Sequence, residues 1–462
     1  MKSKLLGKGI IRFSVIVLSS LLVLTSLEAV TLKVSANGGQ QQVASLTATT
    51  WVATQVYLPD HQVFHNGNVY KAKWWNQGDT PGAGDASSSP WLLLGPGTAS
   101  GGSGGGGGND LAVGQSRVLT DTQITASWGG IDPQFSPANA VAAVQAALPQ
   151  TQYEELFPMR IGTPAWHTFA ASKTYYKPGQ TDYYSYSNLI AAVTDVANIK
   201  YKLEYRQGAT WNNRVFRLNK TTKTETLVYQ NADFNQSWNL NVPIVSKTVD
   251  FGSFIKEGSA VNRKRELAAF LANIAHETGG GWATAPGGEL SWGLFWNEEV
   301  AYINSTATSY IAAHADFPPV AGKSYHGRGP IQLSWNYNYG LISGIIYGTK
   351  DTLLQNPELI VNDGKLGFMT AILFWMTPQP PKPSAHDVIV GNWTPSATDI
   401  TKGLTPAGFG VTIMIINGNF EGNKDETDYR VGRRVGHYRD ITTKMSVSIT
   451  GEKVNTIGMS PF

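Results

Sequence analysis

Several hydrophobic patterns succeed one another along this chain. Near the start, Phe13–Leu24 is a continuous apolar run. Between Trp51 and Leu94, short alternating runs are broken by turn signals such as Leu58-Pro59-Asp60 and Thr80-Pro81-Gly82. This pattern predicts strands over Trp51–Tyr57, Gln62–His65, Asn68–Trp74 and Trp91–Leu94, and the pair Asn66-Gly67 predicts a tight hairpin turn. Residues 109–135 carry no strong periodicity. A helix is predicted from Ser136-Pro137, with serine as cap and proline in the first turn, through Ala140, Val141, Val144 and Ala147 to about Leu148. Between Asp195 and Val249 helical spacing disappears. Tyr201–Tyr205, Val215–Leu218, Thr226–Tyr229 and Trp238–Ile244 read as strands with polar turns. From Val261 to His276 helical spacing returns, with the i, i+4 pairs Leu267/Leu271 and Phe270/Ile274. Arg263, Lys264 and Glu266 are expected to start this helix in solvent, and Gly279-Gly280-Gly281 ends it.

Composition narrows the class. A chain of 462 residues exceeds one ordinary domain, and 42% hydrophobic residues can bury a sizeable core. Charged residues make up only 15%, against 14 Trp and 19 Tyr. That balance suits flat, uncharged partners such as polysaccharide surfaces. Lys2, Lys4, Lys8 and Arg12 precede the apolar run, and Val34-Ser35-Ala36 follows it with small residues. Residues 1–36 therefore read as a secretory signal, cut after Ala36 or, alternatively, after Ala29. The run falls short of the ~20 apolar residues of a spanning helix. Removing residues 1–36 takes the formal charge from +3 to −1, since five cations and one anion leave. The basicity thus belongs largely to the signal and gives no support to nucleic acid as a partner, and none is expected. With no cysteine, neither disulfides nor thiolate metal sites exist.

The candidate chemistry lies between His276 and Gly340. HETGGGW (His276–Trp282), WGLFWNEE (Trp292–Glu299) and YHGRGPIQLSWNYNYG (Tyr325–Gly340) place Glu277 and Glu299 22 residues apart in aromatic and glycine-rich surroundings. Two carboxylates beside many amides and phenols are equipment for gripping a sugar and breaking a glycosidic bond. At a helix C-terminus, outward-pointing carbonyls raise the cost of ionising Glu277, as suits a general acid. His276-Glu277 is not a zinc-protease motif, because Gly280 stands where the second histidine belongs.

Two resemblances extend this reading. Trp51, Tyr57, the run Asn66–Asp79 containing AKWWNQGD, and Trp91 resemble the small chitin-binding modules of carbohydrate-binding families 5 and 12. The resemblance implies solvent-facing aromatics that stack on N-acetylglucosamine. Strand alternation allows only one of Trp74 and Trp75 into the core, so one of this chitin-binding pair is expected to be exposed. Trp51 and Trp91 read as structural. RKRELAAFLANIAHETGGGWATAP (Arg263–Pro286), Trp292-Gly293, Tyr325–Gly340, Phe374–Pro395 and IINGNFEG (Ile415–Gly422) resemble glycoside hydrolase family 19 chitinases. Over about 136–193 and 250–445, that likeness implies a mainly helical, lysozyme-like fold cleaving β-1,4-linked N-acetylglucosamine with inversion. It also implies roles. Glu277 is the general acid, Glu299 (rather than Glu298, read as solvated surface) the general base, and Ser334 helps hold the water. Gln332, Tyr337, Asn338, Lys382 and Asn417 contact sugar. Arg434 and Glu421 join that binding set as charged partners that orient and tune the acid, and His276 as a support for its loop. Where many plant members carry a second threonine, this chain has Gly279.

The expected organisation is a signal (1–36), an all-β chitin-binding module (50–95), a glycine-rich linker (96–109) and a catalytic domain (136–462) with a β-rich insertion (195–249). The chain reads as a secreted, monomeric endo-chitinase acting on chitin and chitooligosaccharides, with no membrane attachment after signal removal. Acid–base hydrolysis by two carboxylates calls for no metal or organic cofactor. The rival readings are a peptidoglycan hydrolase and a non-enzymatic chitin-binding protein.

Overall fold

The computed structural model describes residues 46–51, 53, 56–57, 59, 61–83, 88–99 and 111–462. The expected signal and most of the expected linker lie outside the described residues. Among those described, no helix is long and apolar enough to cross a membrane.

The N-terminal part is all β. β1 (Leu46–Thr50), β3 (Gln62–His65), β4 (Asn68–Ala72) and β6 (Trp91–Ala99) close a small barrel, beside the ribbon of β2 (Val56–Tyr57) and β5 (Asn76–Gln77). β3 and β4 meet through Asn66 (φ 48°) and Gly67 (φ 82°), the two left-handed positions a two-residue hairpin turn requires. Trp91 is buried, donates its indole N–H to Asp79 O at 2.8 Å, and packs edge-on against Tyr57. Trp51 is half-buried against the same small core. Trp74 (47% exposed) and Trp75 (58%) both face solvent, which corrects the expectation of one. The reason is local. β4 ends at Ala72, so the tryptophans sit on a bend where strand alternation no longer applies.

The rest of the chain is mainly helical around one core. The unpatterned lead-in supplies β7 (Ser116–Val118) and α1 (Asp121–Trp128), which Thr120 and Gln123 cap reciprocally. α2 (Pro137–Ala147) starts on the Ser136 cap as its sequence predicts, and α3 (Tyr186–Val196) leads into the sheet. There β8 (Ile199–Arg206), β9 (Ala209–Asn219), β10 (Thr224–Gln230) and β11 (Ile244–Asp250) join β7 in the antiparallel order β11-β8-β9-β10-β7. Of the last predicted strand only Ile244 is strand; Ser237–Asn239 forms a helical turn instead. Both faces of the sheet are covered. Ile199, Tyr201, Leu203, Val215 and Val228 join the main core, while Phe216, Leu218 and Leu227 pack on Ile124 and Trp128 of α1.

α4 (Ala260–Glu277) runs through the core, every residue from Glu266 to Ala275 being buried. α5 (Asn336–Tyr347), α6 (Gly364–Met376), α7 (Phe409–Glu421) and α8 (Tyr429–Lys444) complete the frame, with α8 packed along α4. Glu266 is not in solvent as its sequence neighbours imply. It is fully buried, accepts Ile255 N–H and the Trp375 indole N–H, and pairs with His386 at 2.6 Å. A buried carboxylate needs such partners.

Candidate active site

Four elements converge on one cleft. The last residue of α4 contributes Glu277, the turn entering α5 contributes Gln332 and Ser334, the first turn of α5 contributes Asn338, α6 contributes Phe374, and α7 contributes Ile416 and Asn417. The cleft encloses about 480 Å³ open to solvent. Its irregular backbone is specific. Gln332 (φ 51°) and Trp335 (φ 75°) hold left-handed conformations that cost non-glycine residues about 1–3 kcal/mol each. Asn417 (φ −141°, ψ 33°) interrupts α7 at the point where it meets the cleft.

Glu277 is held from beneath. Arg434 of α8, fully buried, donates Nη2 to Glu277 Oε1. The same guanidinium grips buried Glu421 through Nε–Oε2 (2.8 Å) and Nη2–Oε1 (2.9 Å), and reaches Asn273 Oδ1 at 3.2 Å. Asn417 Nδ2 donates to Glu421 Oε1 at 2.6 Å, so the cleft amide and the buried carboxylate are fixed together. Burial drives the Glu277 carboxyl above the usual carboxylate range; Arg434 opposes this and Glu421 adds to it. A carboxyl balanced in this way keeps a proton at a higher pH than a free glutamate does. His276 is neutral, because burial and then the charges of Arg434 and Arg433 lower its pKa well below the ordinary value. It does not line the cleft.

Glu298 and Glu299 are separated by backbone geometry. Glu298 bridges Arg328 as in an antiparallel pair, so neighbouring side chains point opposite ways. Glu298 accepts from His326 Nε2 at 2.8 Å and faces the Arg328 guanidinium. Burial would raise its pKa, but His326 and Arg328 outweigh it and hold the carboxylate ionised. Glu298 is thus a largely buried ion-pair member, a correction to its reading as solvated surface. Glu299 Oε1 accepts from the Tyr310 hydroxyl at 3.0 Å, and Oε2 from Gly327 N–H at 3.2 Å. Gly327 in turn lies against the side chain of Gln332, which lines the cleft with Glu277.

The other sequence-predicted residues divide clearly. Ser334 donates to Gln332 O at 2.9 Å, and Asn338 to Ser334 O at 2.8 Å, so each fixes the turn that carries it. Tyr337 stacks on Trp335 and His314 and is half-buried, away from the lining. Lys382 donates to Ile415 O at 2.9 Å, one residue from the lining Ile416. Arg434 and Glu421, both 0% exposed, cannot touch a sugar. Their place among the binding residues is corrected: they position Glu277 from the core.

Sequence reasoning missed Tyr310, Asn273 and Arg433. Tyr310 sits in an irregular loop without periodicity. Asn273 had a visible signal, being an amide on the apolar face of a core helix. Arg433 borders Gly279: a Cβ there would lie 2.4 Å from Arg433 Nη2, so a side chain at 279 requires the guanidinium, itself paired with Glu289, to shift.

Comparison with known proteins places this geometry. Residues 224–455 match the family model described as chitinase class I, and residues 50–92 that of carbohydrate-binding module family 5/12. Chitinase 9 of Oryza sativa subsp. japonica is 46% identical over 219 residues, 47% of this chain and 63% of that protein. The chain thus spans less than two thirds of that relative's length. The inactive chitinase-like protein 1 of Hevea brasiliensis is 44% identical over 218 residues, 47% of this chain and 66% of that protein. Among solved structures, chitinase C from Streptomyces griseus HUT6037 aligns over 88% of this chain and 99% of its own, at 23% identity and a TM-score of 0.41.

Proposed function

The chain belongs to the class I chitinase family, glycoside hydrolase family 19, and from that premise we propose that it is a secreted endo-chitinase that hydrolyses β-1,4-linked N-acetylglucosamine with inversion. Family likeness alone does not carry the activity, since a relative named inactive is 44% identical. The observation that carries it is the balance at Glu277. A carboxyl opening on a cleft is pushed toward its protonated form by burial, and is oriented by a buried arginine that a second carboxylate largely neutralises.

In this mechanism Glu277 gives its proton to the glycosidic oxygen as the bond to the anomeric carbon breaks. Glu299, oriented by Tyr310 and Gly327 N–H, takes a proton from a water that attacks the opposite face of the sugar. Ser334, Gln332, Asn338 and Asn417 supply hydrogen-bonding groups to the bound chain and the water. After release, the proton on Glu299 returns to Glu277 through solvent, and the cycle closes. Trp74 and Trp75, exposed side by side, suit stacking on chitin and hold the enzyme at high effective concentration over an insoluble substrate.

Proton NMR of a chitin hexasaccharide during the first minutes of digestion tests the reading. New reducing ends should appear as the α-anomer, and Glu277→Gln should abolish them while leaving the fold intact. β-Anomeric products would exclude inversion, and undiminished cleavage by the variant would remove Glu277 from the acid's role.

A further inference from the structure

A second cavity, about 700 Å³ and open to solvent, lies where the five-stranded sheet meets the helical frame. Strand alternation puts Val215, Arg217 and Asn219 on the side of β9 that faces the main core, since Phe216 and Leu218 pack on α1. Arg217 and Asn219 line the cavity from that side, beside Asn198, which immediately precedes β8. The end of α5 faces them with Ile346 and Tyr347, and the start of α6 with Lys365 and Leu366.

Arg217 carries a charge that no carboxylate answers. Among the described residues it makes no hydrogen bond or ion pair, and its Nε is buried without an acceptor. Its Nη1 lies beside Gly348, 3.0 Å from where a Cβ would stand. Burial lowers its pKa, and nothing nearby offsets that effect. The buried arginines Arg160, Arg214 and Arg434, by contrast, each hold a carboxylate. The neighbouring amides add unused donors. The backbone N–H groups of Thr221 and Thr222 both donate to Asn219 Oδ1, at 3.0 and 2.9 Å. That fixes the amide and leaves its Nδ2 without a protein acceptor among the described residues. Thr221 Oγ1 donates to Asn198 Oδ1 at 3.0 Å, with the same result for the Asn198 Nδ2. Two carboxylates share the cavity, and both are engaged. Asp195 accepts from Lys365 at 2.8 Å, and Asp363 caps α6 by accepting Leu366 N–H at 3.1 Å.

What remains is a surplus of N–H donors around one uncompensated cation. Such a set takes anionic oxygens, because a guanidinium presents parallel N–H groups to the edge of a carboxylate or phosphate. We propose that this cavity is a binding site for a small oxyanion, a carboxylate or a phosphate, held by Arg217 together with the Asn219 and Asn198 amides. Through the Tyr347 hydroxyl a bound oxyanion also ties the sheet to α5, whose first turn brings Asn338 to the cleft. The site stands or falls independently of the hydrolase reading.

Equilibrium dialysis of the full chain against radiolabelled inorganic phosphate, and separately against acetate, at fixed ionic strength tests this. The native chain should bind one equivalent of phosphate, of acetate or of either, and the anion that saturates names the oxyanion within the class. Arg217→Met keeps the side chain's length and removes its charge and donors. It should weaken binding roughly ten-fold or more, the loss of a charge-assisted hydrogen bond. Asn219→Asp keeps the oxygen that accepts from Thr221 and Thr222 but brings a negative charge into the cavity, and should weaken binding by repulsion. Thermal unfolding gives a second readout. The anion that binds should raise the melting temperature of the native chain and leave that of Arg217→Met in place. Without added anion, Asn219→Asp should melt above the native chain, because its carboxylate supplies the missing counter-charge. Saturation by neither anion would leave Arg217 to water and overturn the proposal. Binding of undiminished strength in both variants would place the anion elsewhere and overturn it equally.

Discussion

Arg434 and Glu421 form two parallel hydrogen bonds in the core, and Nη2 of the same guanidinium also reaches Glu277. One cation thus serves two carboxylates, only one of which borders the cleft. Glu421 weakens the pull of Arg434 on Glu277, and so helps keep the Glu277 pKa raised. Replacing Glu421 with Gln removes that charge, leaves Arg434 uncompensated and lowers the Glu277 pKa. The alkaline limb of the kcat/KM profile on chitin hexasaccharide should move to lower pH. A limb that stays in place or rises would show that Glu421 does not tune the acid. Arg434→Ala differs in kind. It strands a buried carboxylate and should cost about 3–5 kcal/mol of stability, read by denaturant unfolding.

Tyr310 bears on Glu299 through one hydroxyl at 3.0 Å. Tyr310→Phe keeps the ring that packs on Trp335 and Tyr302 and deletes only that hydrogen bond. A hydrogen bond to a charged group contributes about 1.5–3 kcal/mol, so kcat should fall roughly ten-fold or more. KM should hold, and the melting temperature should fall by no more than the few degrees that one such bond accounts for. A matching rise in KM would instead point to lost sugar binding.

How far these features were legible depends on where their signals lie. The α4 helix and its terminal Glu277 were plain, because apolar spacing and the glycine run are local. The β-rich segment was visible through its strand runs, yet its covering helix α1 was not. Only Ile124 and Trp128 of α1 face the sheet, and two apolar residues in a polar stretch make no periodicity. Glu266 read as exposed because its neighbours Arg263 and Lys264 are helix-start residues; its partner His386 is 120 residues away. The Arg434–Glu421 pairing follows from the packing of α8 along α4, which no local pattern encodes. Trp74 and Trp75 were both found, but only one was expected to be exposed, since the sequence does not mark the strand's end at Ala72.

Gly279 supplies a test of packing against chemistry. A threonine there would drive its Cβ into Arg433 Nη2, 2.4 Å away, and toward Ala275 O, 3.0 Å away. Gly279→Thr alone should therefore lower both thermal stability and kcat. Combined with Arg433→Ala, which opens the space but breaks the pair with Glu289, threonine should cost much less than in the native background. A double-mutant cycle with additive losses would show that the clash is not what excludes a side chain.

The buried pair of His386 and Glu266 makes stability depend on pH in a definite direction. Burial lowers the His386 pKa, but Glu266 at 2.6 Å and Glu257 at 3.5 Å overcome it, and the imidazole is pushed up to about 10. An unfolded histidine titrates near 6.5. The folded state therefore binds a proton more tightly than the unfolded one between these values. The stabilisation is complete below about pH 6.5 and is lost as pH rises toward 10. The melting temperature should fall steadily from pH 7 to 10. Glu266→Gln removes the principal charge that holds the proton. It should be less stable than the native protein at pH 7, yet its melting temperature should change much less over the same interval. Parallel declines in the two proteins would place the alkaline sensitivity elsewhere, because only coupling between Glu266 and His386 makes the slope depend on residue 266.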